Sequence, residues 1–326
     1  MMNIRFIRLT TIIFGFSLPL TITCANTMDV NISKLYHSLS RKPTHSIEER
    51  LNKVSEQFLQ VPYELNPLGE GESSHYDAYP KYRTDAFDCE TYIDTVLAIS
   101  FSSDLNEFKQ CIDKVRYQSG HVSFITRNHF MSLDWLPNNQ QQGFITDITT
   151  RVVDEMKNPV AQQATALINK PNWYQHLSES RIRIKNLSKE EQLRRLNELK
   201  KEGAQLPKAQ TAMIPYIPLT SLFNEAGEPN HFLFNQIPNG TMMSIVRPNW
   251  DLTETIGTHL NVSHVGFLFW NNQVLMFRQA SSIEHKVVNT PLIEYLKNTL
   301  TSPTIKGINI QSINNIKNCD AHPNSL

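Results

Sequence analysis

The segment YRTDAFDCETYID places one cysteine among four acidic residues. Cys89 has Asp85, Asp88, Glu90 and Asp94 as its neighbours in the chain. A cysteine attacks a substrate as its thiolate, and nearby negative charges raise the pKa of the thiol and suppress that form. Either Cys89 is inert, or another feature of the fold outweighs the acidic residues.

Asp88 has the residue type of a helix N-cap, with Cys89 as the first residue of the helix. We expect its carboxylate to accept a hydrogen bond from the N–H of residue 90 or 91. Acidic residues in a first turn are favourable for the helix. The same helix end directs positive potential at the Cys89 sulfur and lowers its pKa, and a cationic histidine beside it would lower the pKa further.

Two histidines are candidate partners, His121 in GHVSF and His264 in SHVGF. In SHVGFLFWNNQVLMFRQASS two apolar runs flank Asn271-Asn272, which predicts a β-hairpin. A loop symmetric about these asparagines sets His264 opposite Gln279. Opposed side chains lie about 4.5–5.5 Å apart at Cβ, so the Gln279 amide would orient the imidazole. His121 has no comparable partner.

The three residues Cys89, His264 and Gln279 have the types needed for nucleophilic catalysis. The thiolate would attack a carbonyl carbon. His264 would hold the ion pair and then protonate the leaving amine, while Gln279 orients its ring. The backbone N–H of Cys89 would stabilise the developing oxyanion.

Helices precede strands along the chain. Apolar spacing and capping residues predict helices at 46–59, 104–117, 150–203 and 291–300, in addition to the Cys89 helix. The predicted strands are MIPYIPL, HFLFNQI, TMMSIVR, HVGFLFW, VLMFRQA, HKVV and IKGINIQ. This order predicts an α+β fold, one domain over 26–326 with a helical insertion at about 150–205.

The charge balance argues against a nucleic-acid-binding protein. Among 326 residues, 31 are Lys or Arg and 31 are Asp or Glu, so no global field attracts a polyanion or an anionic membrane. His121, His231, His259 and His285 show no metal-ligand spacing with cysteine or acidic residues. We predict no metal and no cofactor.

The first 25 residues have the layout of a secretory signal peptide. Arg5 and Arg8 precede the uncharged run LTTIIFGFSLPLTIT, and small residues lead to a cleavage site after Ala25. A membrane anchor is the alternative, but the run is short for a span and contains Pro19. A lipoprotein start at Cys24 is a second alternative. We therefore expect a periplasmic or secreted protein without integral membrane association after cleavage.

The mature chain then contains three cysteines, Cys89, Cys111 and Cys319. An odd number leaves at least one thiol unpaired, or all three reduced. Cys111 lies beside an apolar helical stripe and is most simply a small core residue. Cys319 belongs to a polar C-terminal tail.

Three blocks resemble a known family in the same order: FDCETYIDTVLA, RNHFMSLDWLPNNQQQGFITDIT and SHVGFLFW…FRQASS. They are similar to the N-acetylmuramoyl-L-alanine amidase-like family of exported bacterial proteins, which belongs to the papain-like NlpC-type cell-wall hydrolases. The resemblance runs from about residue 45 to 315. It implies a papain-like core, in which a cysteine-bearing helix packs on an antiparallel sheet or barrel that carries the histidine.

The resemblance also implies functions for individual residues. Cys89 is the expected nucleophile and His264 the base, and Gln279 takes the third position, where histidine is more frequent. Residues in matching blocks that would line a substrate cleft are Tyr82, Asp88, Arg127, His129, Asp134, Trp135, Asn138 and Asn139. For Arg127 and His129 a structural hydrogen-bond network is an equal alternative, and Trp135 is more often a core residue.

The expected activity is cleavage of an amide in peptidoglycan or muropeptide fragments, between N-acetylmuramic acid and L-alanine. A sibling alternative is an endopeptidase that cuts between D-glutamate and diaminopimelate, since the same three residues serve both. A second alternative is a catalytically inactive module that binds peptidoglycan, favoured by the glutamine at the third position. A transglutaminase- or acyltransferase-like reaction also stays open.

Overall fold

Alternating apolar residues in the second half of the chain form one antiparallel sheet. The computed structural model describes residues 27–41, 43–316 and 319, so the predicted signal peptide lies outside the described residues. The strands are β1 (Ile145–Asp147), β2 (Gln162–Ile168), β3 (Gln210–Pro218), β4 (Thr241–Leu252), β5 (Thr258–Asn271), β6 (Val274–Ser281), β7 (Lys286–Pro291) and β8 (Gly307–Ile313). Their order is β2-β3-β8-β4-β5-β6-β7, and β1 also pairs with β8.

Helices predominate in the first half of the chain and also connect strands of the sheet, which confirms the α+β class. They are α1 (Thr27–Arg41), α2 (Ile47–Glu56), α3 (Cys89–Ser100), α4 (Leu105–Arg116), α5 (Leu136–Gln141), α6 (Lys170–Gln175), α7 (Lys189–Gly203), α8 (Leu219–Leu222), α9 (His231–Phe234), α10 (Thr253–Ile256) and α11 (Leu292–Lys297). None of the described helices is long and apolar enough to cross a membrane.

Two predicted helical or strand segments are wrong. The region 150–205 is not helical throughout, because β2 lies within it and pairs with β3. Ala164, Ala166 and Ile168 of β2 are buried with exposed residues between them, and this two-residue period outweighs the helix propensity of alanine and glutamine. HFLFNQI, predicted as a strand, begins with helix α9. Its consecutive residues Leu233 and Phe234 are both buried, which departs from the alternation of a half-buried strand.

The hairpin that links β5 and β6 has a register different from the predicted one. Its turn residues are Asn272 and Gln273, both with positive φ (46° and 66°), so the loop is centred one residue later than expected. Two consecutive positive φ values are the requirement of a tight two-residue hairpin turn. Phe267 consequently pairs with Arg278, and each β5 residue faces a β6 residue two positions later than predicted.

Helix α3 is buried from Thr91 to Ser100 between the sheet and neighbouring helices. The Tyr92 ring meets the edge of Phe267 on β5 with 6.0 Å between centroids. The Tyr92 hydroxyl donates a hydrogen bond of 3.2 Å to the Ser55 carbonyl in α2. Burying one such aromatic side chain contributes about 1.5–3 kcal/mol, so α3 is held firmly against the face of β5.

A buried arginine on β6 fixes the sheet to α2. The Arg278 guanidinium donates to the Ser55 hydroxyl at 2.7 Å, to the Asn52 carbonyl at 2.9 Å and to the Asn289 amide at 2.8 Å. The guanidinium therefore joins β6 to two other elements, α2 and β7. Because Gln279 is the next residue, these bonds also fix the position of its backbone.

The opposite face of the sheet has its own core, covered by α8, α9 and α11. Its largest apolar members are Phe223, Phe234, Leu268, Phe277, Leu292 and Ile310. The sheet is thus apolar on both faces where these helices cover it. The C-terminal end of the described chain is joined to α4 by a disulfide between Cys111 and Cys319, and Cys89 is the free cysteine of the described residues.

Candidate active site

Cys89 is the first residue of α3, and its position depends on an N-cap. The Asp88 carboxylate accepts from the Thr91 N–H at 2.8 Å, and the Thr91 hydroxyl accepts from the Asp88 N–H at 3.0 Å. The predicted cap is therefore confirmed, in the reciprocal form of a capping box. The second carboxylate oxygen of Asp88 accepts from the Asn66 N–H at 2.9 Å, so this side chain fixes both the helix and the loop beside it.

The groups around the Cys89 sulfur have opposite effects on the pKa of the thiol. Burial, followed by the charges of Asp88 and Glu90, raises the pKa of the thiol. Hydrogen bonds from the backbone N–H groups of Val265 and Glu90 lower it, but do not overcome burial. The free protein therefore carries a neutral thiol at neutral pH, with two N–H donors in position to stabilise a thiolate when one forms.

The other acidic residues of the segment are occupied elsewhere. Asp85 is exposed and forms an ion pair with Arg83 at 2.8 Å, which holds the pKa of Asp85 low. Asp94 is fully buried and accepts from the Trp135 indole N–H at 2.7 Å, with the Arg116 guanidinium 3.5 Å away. Burial raises the pKa of Asp94 to about 7. Neither carboxylate is a principal cause of the raised pKa of Cys89.

The imidazole of His264 is held by Gln279, as the sequence predicts. Its Nε2 atom is hydrogen-bonded to the amide oxygen Oε1 of Gln279. An amide oxygen only accepts, so Nε2 carries the proton and Nδ1 is left as the basic nitrogen. This is the tautomer that a proton-accepting histidine needs.

The corrected hairpin register explains why this bond still forms. Gln279 lies opposite Gly266, two residues along β5 from the predicted position opposite His264. A shift of two residues keeps a side chain on the same face of a sheet. Diagonal neighbours are within reach of long side chains, so the imidazole and the amide meet across the diagonal, over the space left by Gly266.

His264 is otherwise surrounded by aromatic rings. Phe277 meets it edge-on with 5.7 Å between centroids, and Tyr295 of α11 stacks on it at 6.4 Å. Burial among these groups lowers the pKa of His264 to about 4. The resting imidazole is therefore neutral, and the resting pair is a thiol and an imidazole rather than an ion pair.

The thiol and the imidazole are brought to the same part of β5. The backbone N–H of Val265, the residue that follows His264, lies close enough to the Cys89 sulfur to lower the pKa of the thiol. Tyr295 stacks on His264, and burial, with the Cys89 thiolate as a smaller cause, raises the pKa of Tyr295 to about 12. The structure thus brings together the helix and the hairpin on which the predicted chemistry depends.

Three further residues around this site were missed by the sequence analysis. Tyr63 lies near Cys89 and Asp88, whose charges add to the burial that raises its pKa to about 12. Tyr295 lies on the predicted late helix, and Arg247 lies beside Tyr295. The pattern of buried Leu292 and Leu296 marks the helix, but no sequence signal shows that Tyr295 turns toward the histidine.

Arg127 and His129 belong to a buried polar network. Arg127 pairs with Glu70 and also donates to Asp77 at 3.0 Å. His129 bonds to the Phe124 carbonyl at 2.7 Å, and burial lowers its pKa well below the usual value. These contacts match the structural alternative, and a direct function in substrate binding stays a prediction.

The other predicted cleft residues are also engaged in contacts within the fold. Tyr82 donates to Asp29 at 2.5 Å, Asp134 pairs with Lys170, Trp135 is fully buried, Asn138 bonds to the Lys114 carbonyl at 3.3 Å, and Asn139 bonds to the Trp135 carbonyl at 2.8 Å. They support the elements around α3 rather than the sulfur itself. Among the described residues, no cluster of three His, Cys, Asp or Glu side chains is arranged to hold a metal ion.

Known structures share this arrangement of helices and sheet. The chain is 47% identical to a Legionella pneumophila str. Philadelphia 1 protein classified under a domain of unknown function, with a TM-score of 0.86 over 90% of this chain and 96% of that one. It is 21% identical to an N-acetylmuramoyl-L-alanine amidase from Bacteroides uniformis, with a TM-score of 0.57 over 82% of this chain and 99% of that one. The second likeness is one of fold alone.

Sequence comparison agrees with the likeness of the folds. No curated protein sequence matches the chain. The family described as AmiA-like, N-acetylmuramoyl-L-alanine amidase-like, matches residues 53–305, which include the capped helix and both strands of the hairpin. The chain belongs to the N-acetylmuramoyl-L-alanine amidase-like family.

Proposed function

We propose that the protein is an exported cysteine amidase that hydrolyses the N-acetylmuramoyl-L-alanine bond of peptidoglycan or its muropeptide fragments. One observation carries the proposal: a free cysteine at the start of a helix lies close to Val265, the strand residue that follows a histidine whose Nε2 is fixed by an amide. Membership of an amidase-like family supports the same reaction class.

The mechanism follows from the protonation states of the resting pair. His264 Nδ1 takes the proton of the Cys89 thiol as the sulfur attacks the lactyl carbonyl carbon, and a C–S bond forms. The imidazolium then protonates the L-alanine nitrogen as the C–N bond breaks. Water, deprotonated by the same imidazole, hydrolyses the thioester and releases the muramoyl carboxylate and the thiol.

The negative oxygen of the tetrahedral intermediate needs a hydrogen-bond donor. The N–H of Cys89 is at the first position of α3, where a helix N–H has no acceptor within the helix. A donor at this point stabilises charge that appears only in the transition state. Gln279 stays neutral throughout and fixes the ring, so the imidazolium is stabilised by a dipole instead of a carboxylate.

A papain-like core accounts for the placement of the nucleophile on a helix and of the base on the sheet that this helix covers. The NlpC-type relationship expected from the sequence is part of the proposal. The neutral third residue is compatible with it, because orientation of the imidazole requires an acceptor and not a charge.

Export is supported by the signal-peptide pattern and by the cysteines. Cys111 and Cys319 are 208 residues apart in sequence and form a buried disulfide. Disulfides of this kind persist in oxidising compartments such as the periplasm or the extracellular space. This observation favours a periplasmic or secreted protein over one from a reducing compartment.

Digestion of purified muropeptides by the wild type and by Cys89→Ala, followed by mass spectrometry, tests the proposal. We expect the wild type to release an intact stem peptide with a free L-alanine amine, and Cys89→Ala to release none. Release of a product with a free diaminopimelate amine would show that the protein is an endopeptidase and not an amidase. Binding of muropeptides by the wild type without any cleavage would indicate a binding module.

A further inference from the structure

A cavity of about 420 Å³ lies beside the segments that carry the catalytic residues. We call it the Arg181 cavity; its lining includes Asn66, Trp173, Ser178, Ser180, Arg181 and Ile256. Asn66 donates to the carboxylate of Asp88, the residue before Cys89. Ile256 ends α10, directly before the strand that carries His264. The cavity therefore adjoins the Asn66 loop, which is bonded to the residue before Cys89.

Arg181 is a cation without a counter-ion. Its guanidinium is half-buried, and no residue in the described part of the chain accepts a hydrogen bond from it or forms an ion pair with it. Burial and the neighbouring charges of Arg127 and Arg183 lower its pKa. The carboxylate whose charge acts against this lowering, Asp77, is already bonded to both of those arginines.

The backbone at Arg181 is nevertheless fixed. It ends a short 3₁₀ helix whose next residue, Ile182, is buried in the core. The Gln192 amide of α7 donates to the Ile182 carbonyl at 3.3 Å, and the Arg183 N–H donates to the Tyr76 carbonyl at 2.9 Å. An arginine on a fixed backbone whose guanidinium has no acceptor in the described chain is available to an anion from outside it.

The other lining groups fit a carboxylate attached to a peptide. The hydroxyls of Ser178 and Ser180 lie 2.8 Å apart and supply donors close to the cation. Trp173 supplies an apolar wall. A guanidinium binds a carboxylate through two parallel hydrogen bonds, whereas a neutral sugar would leave the charge uncompensated.

We propose that the Arg181 cavity is a subsite for a carboxylate of the peptide stem, with Arg181 as its counter-ion. The inference rests on the proposed function, in which the departing group is a peptide. A γ-linked D-glutamate residue has a free α-carboxylate close to the scissile amide, and this group is the expected occupant. The stem would then lie from Cys89 past Asn66 into the cavity.

Calorimetry with the tripeptide L-Ala-γ-D-Glu-diaminopimelate tests the subsite without requiring catalysis. The titrated protein is Cys89→Ala, compared with the same protein carrying Arg181→Gln, Arg181→Lys or the exposed control Arg151→Gln. Loss of a charged hydrogen bond weakens binding about 10- to 100-fold, so we expect this loss for Arg181→Gln, a smaller loss for Arg181→Lys and none for Arg151→Gln. A tripeptide amidated at the D-glutamate α-carboxyl should bind equally weakly to all four proteins.

Equal binding of the acidic tripeptide by Cys89→Ala and by the double variant with Arg181→Gln would overturn the proposed subsite. A Cys89→Ala protein that does not bind this tripeptide would overturn it as well. The two proposals fail separately. Cleavage of muropeptides by the wild type with an unchanged KM in Arg181→Gln removes the subsite and keeps the amidase. Binding that depends on Arg181, in a wild type that cleaves nothing, keeps the subsite and removes the amidase. Circular dichroism melting of each variant confirms that it is folded.

Discussion

His264 and Gln279 bond diagonally across the β5–β6 hairpin, over the backbone of Gly266. A Cβ atom at position 266 would lie 3.1 Å from the Cβ of Gln279 and 2.6 Å from the Arg278 carbonyl oxygen. The absence of a side chain at this position therefore leaves room for the contact between base and orienting residue. In the proposed mechanism, orientation of the base therefore depends on a glycine that takes no part in the chemistry.

Removal of the Gln279 amide should slow hydrolysis without unfolding the protein. Misorientation of a catalytic group by about 1 Å costs about 100-fold in rate, so we expect a loss of that order in kcat for Gln279→Ala. Gln279→His should retain more activity, since its ring also offers an acceptor. The exposed turn residue Gln273 provides the control Gln273→Ala. Equal kcat values for Gln279→Ala and wild type in the muropeptide assay would contradict this assignment.

Gly266→Ala should reduce both stability and activity. The new methyl group meets a backbone carbonyl, which moves less easily than a flexible side chain, and overpacking of this kind costs about 1–3 kcal/mol. Urea denaturation measures the stability loss, and the muropeptide assay measures the rate. Ser263→Ala on the same strand should leave the free energy of unfolding within about 0.5 kcal/mol of wild type. A fully stable and active Gly266→Ala would show that the hairpin has spare room.

The sequence predicts the chemistry of this site better than its geometry. Residue types and local signals are enough for the cap at Asp88 and for the pairing of His264 with Gln279. They do not determine the register of the hairpin, because the choice between a turn at Asn271-Asn272 and one at Asn272-Gln273 depends on backbone φ values. The orienting residue is still found because the resulting shift is two residues, which preserves the face of the strand.

Long-range burial is the part that local patterns do not reveal. The helix dipole and a cationic histidine are expected from the sequence to lower the pKa of Cys89, whereas burial raises the pKa of Cys89 and lowers that of His264. The pairing of Cys111 with Cys319 and the approach of Tyr295 are also long-range events. Each depends on how distant segments pack, and local spacing contains no information about that packing.

The pH dependence of activity should reflect a neutral resting pair. Because the pKa of His264 is lowered to about 4, the imidazole remains a base down to that pH, and kcat/KM should fall only as the pH approaches 4. An unperturbed histidine would give a fall near pH 6.5. Since the pKa of the Cys89 thiol is raised, alkylation by iodoacetamide should be slow at pH 6 and accelerate in alkaline solution. The Cys89→Ala variant measures the background labelling. Rapid labelling at pH 6 would instead indicate a resting ion pair.

Loss of the disulfide should destabilise the C-terminal end of the fold. Removing a native disulfide typically costs about 2–5 kcal/mol, and this one fixes Cys319 to α4 at a buried position. Cys319→Ser, or reductant added to the wild type, should lower the melting temperature. Reductant should not change the melting temperature of Cys319→Ser any further. An unchanged wild-type melting temperature in reductant would show that the covalent link contributes nothing to stability.

Asp94 gives the folded protein a stability that decreases with rising pH. Its pKa is raised from 3.8 to about 7 by burial, so the folded state retains a proton that the unfolded state releases between these values. Stability from this group is complete below pH 4 and is lost as the pH rises to 7, by on the order of 4 kcal/mol. Asp94→Asn keeps an acceptor for Trp135 and cannot ionise, so its free energy of unfolding should lose that pH dependence.

The control for this prediction is Asp85→Asn in the same segment. Arg83 lowers the pKa of Asp85, so the contribution of Asp85 to stability changes with pH in the opposite direction. Asp85 therefore contributes stability above pH 4 that is lost on acidification, and its replacement should leave the decline toward pH 7 intact. Urea denaturation of wild type and both variants from pH 4 to 8 separates the two groups. A wild type whose stability stays level from pH 4 to 7, parallel to Asp94→Asn, would mean that Asp94 is ionised throughout and that Arg116 compensates its burial.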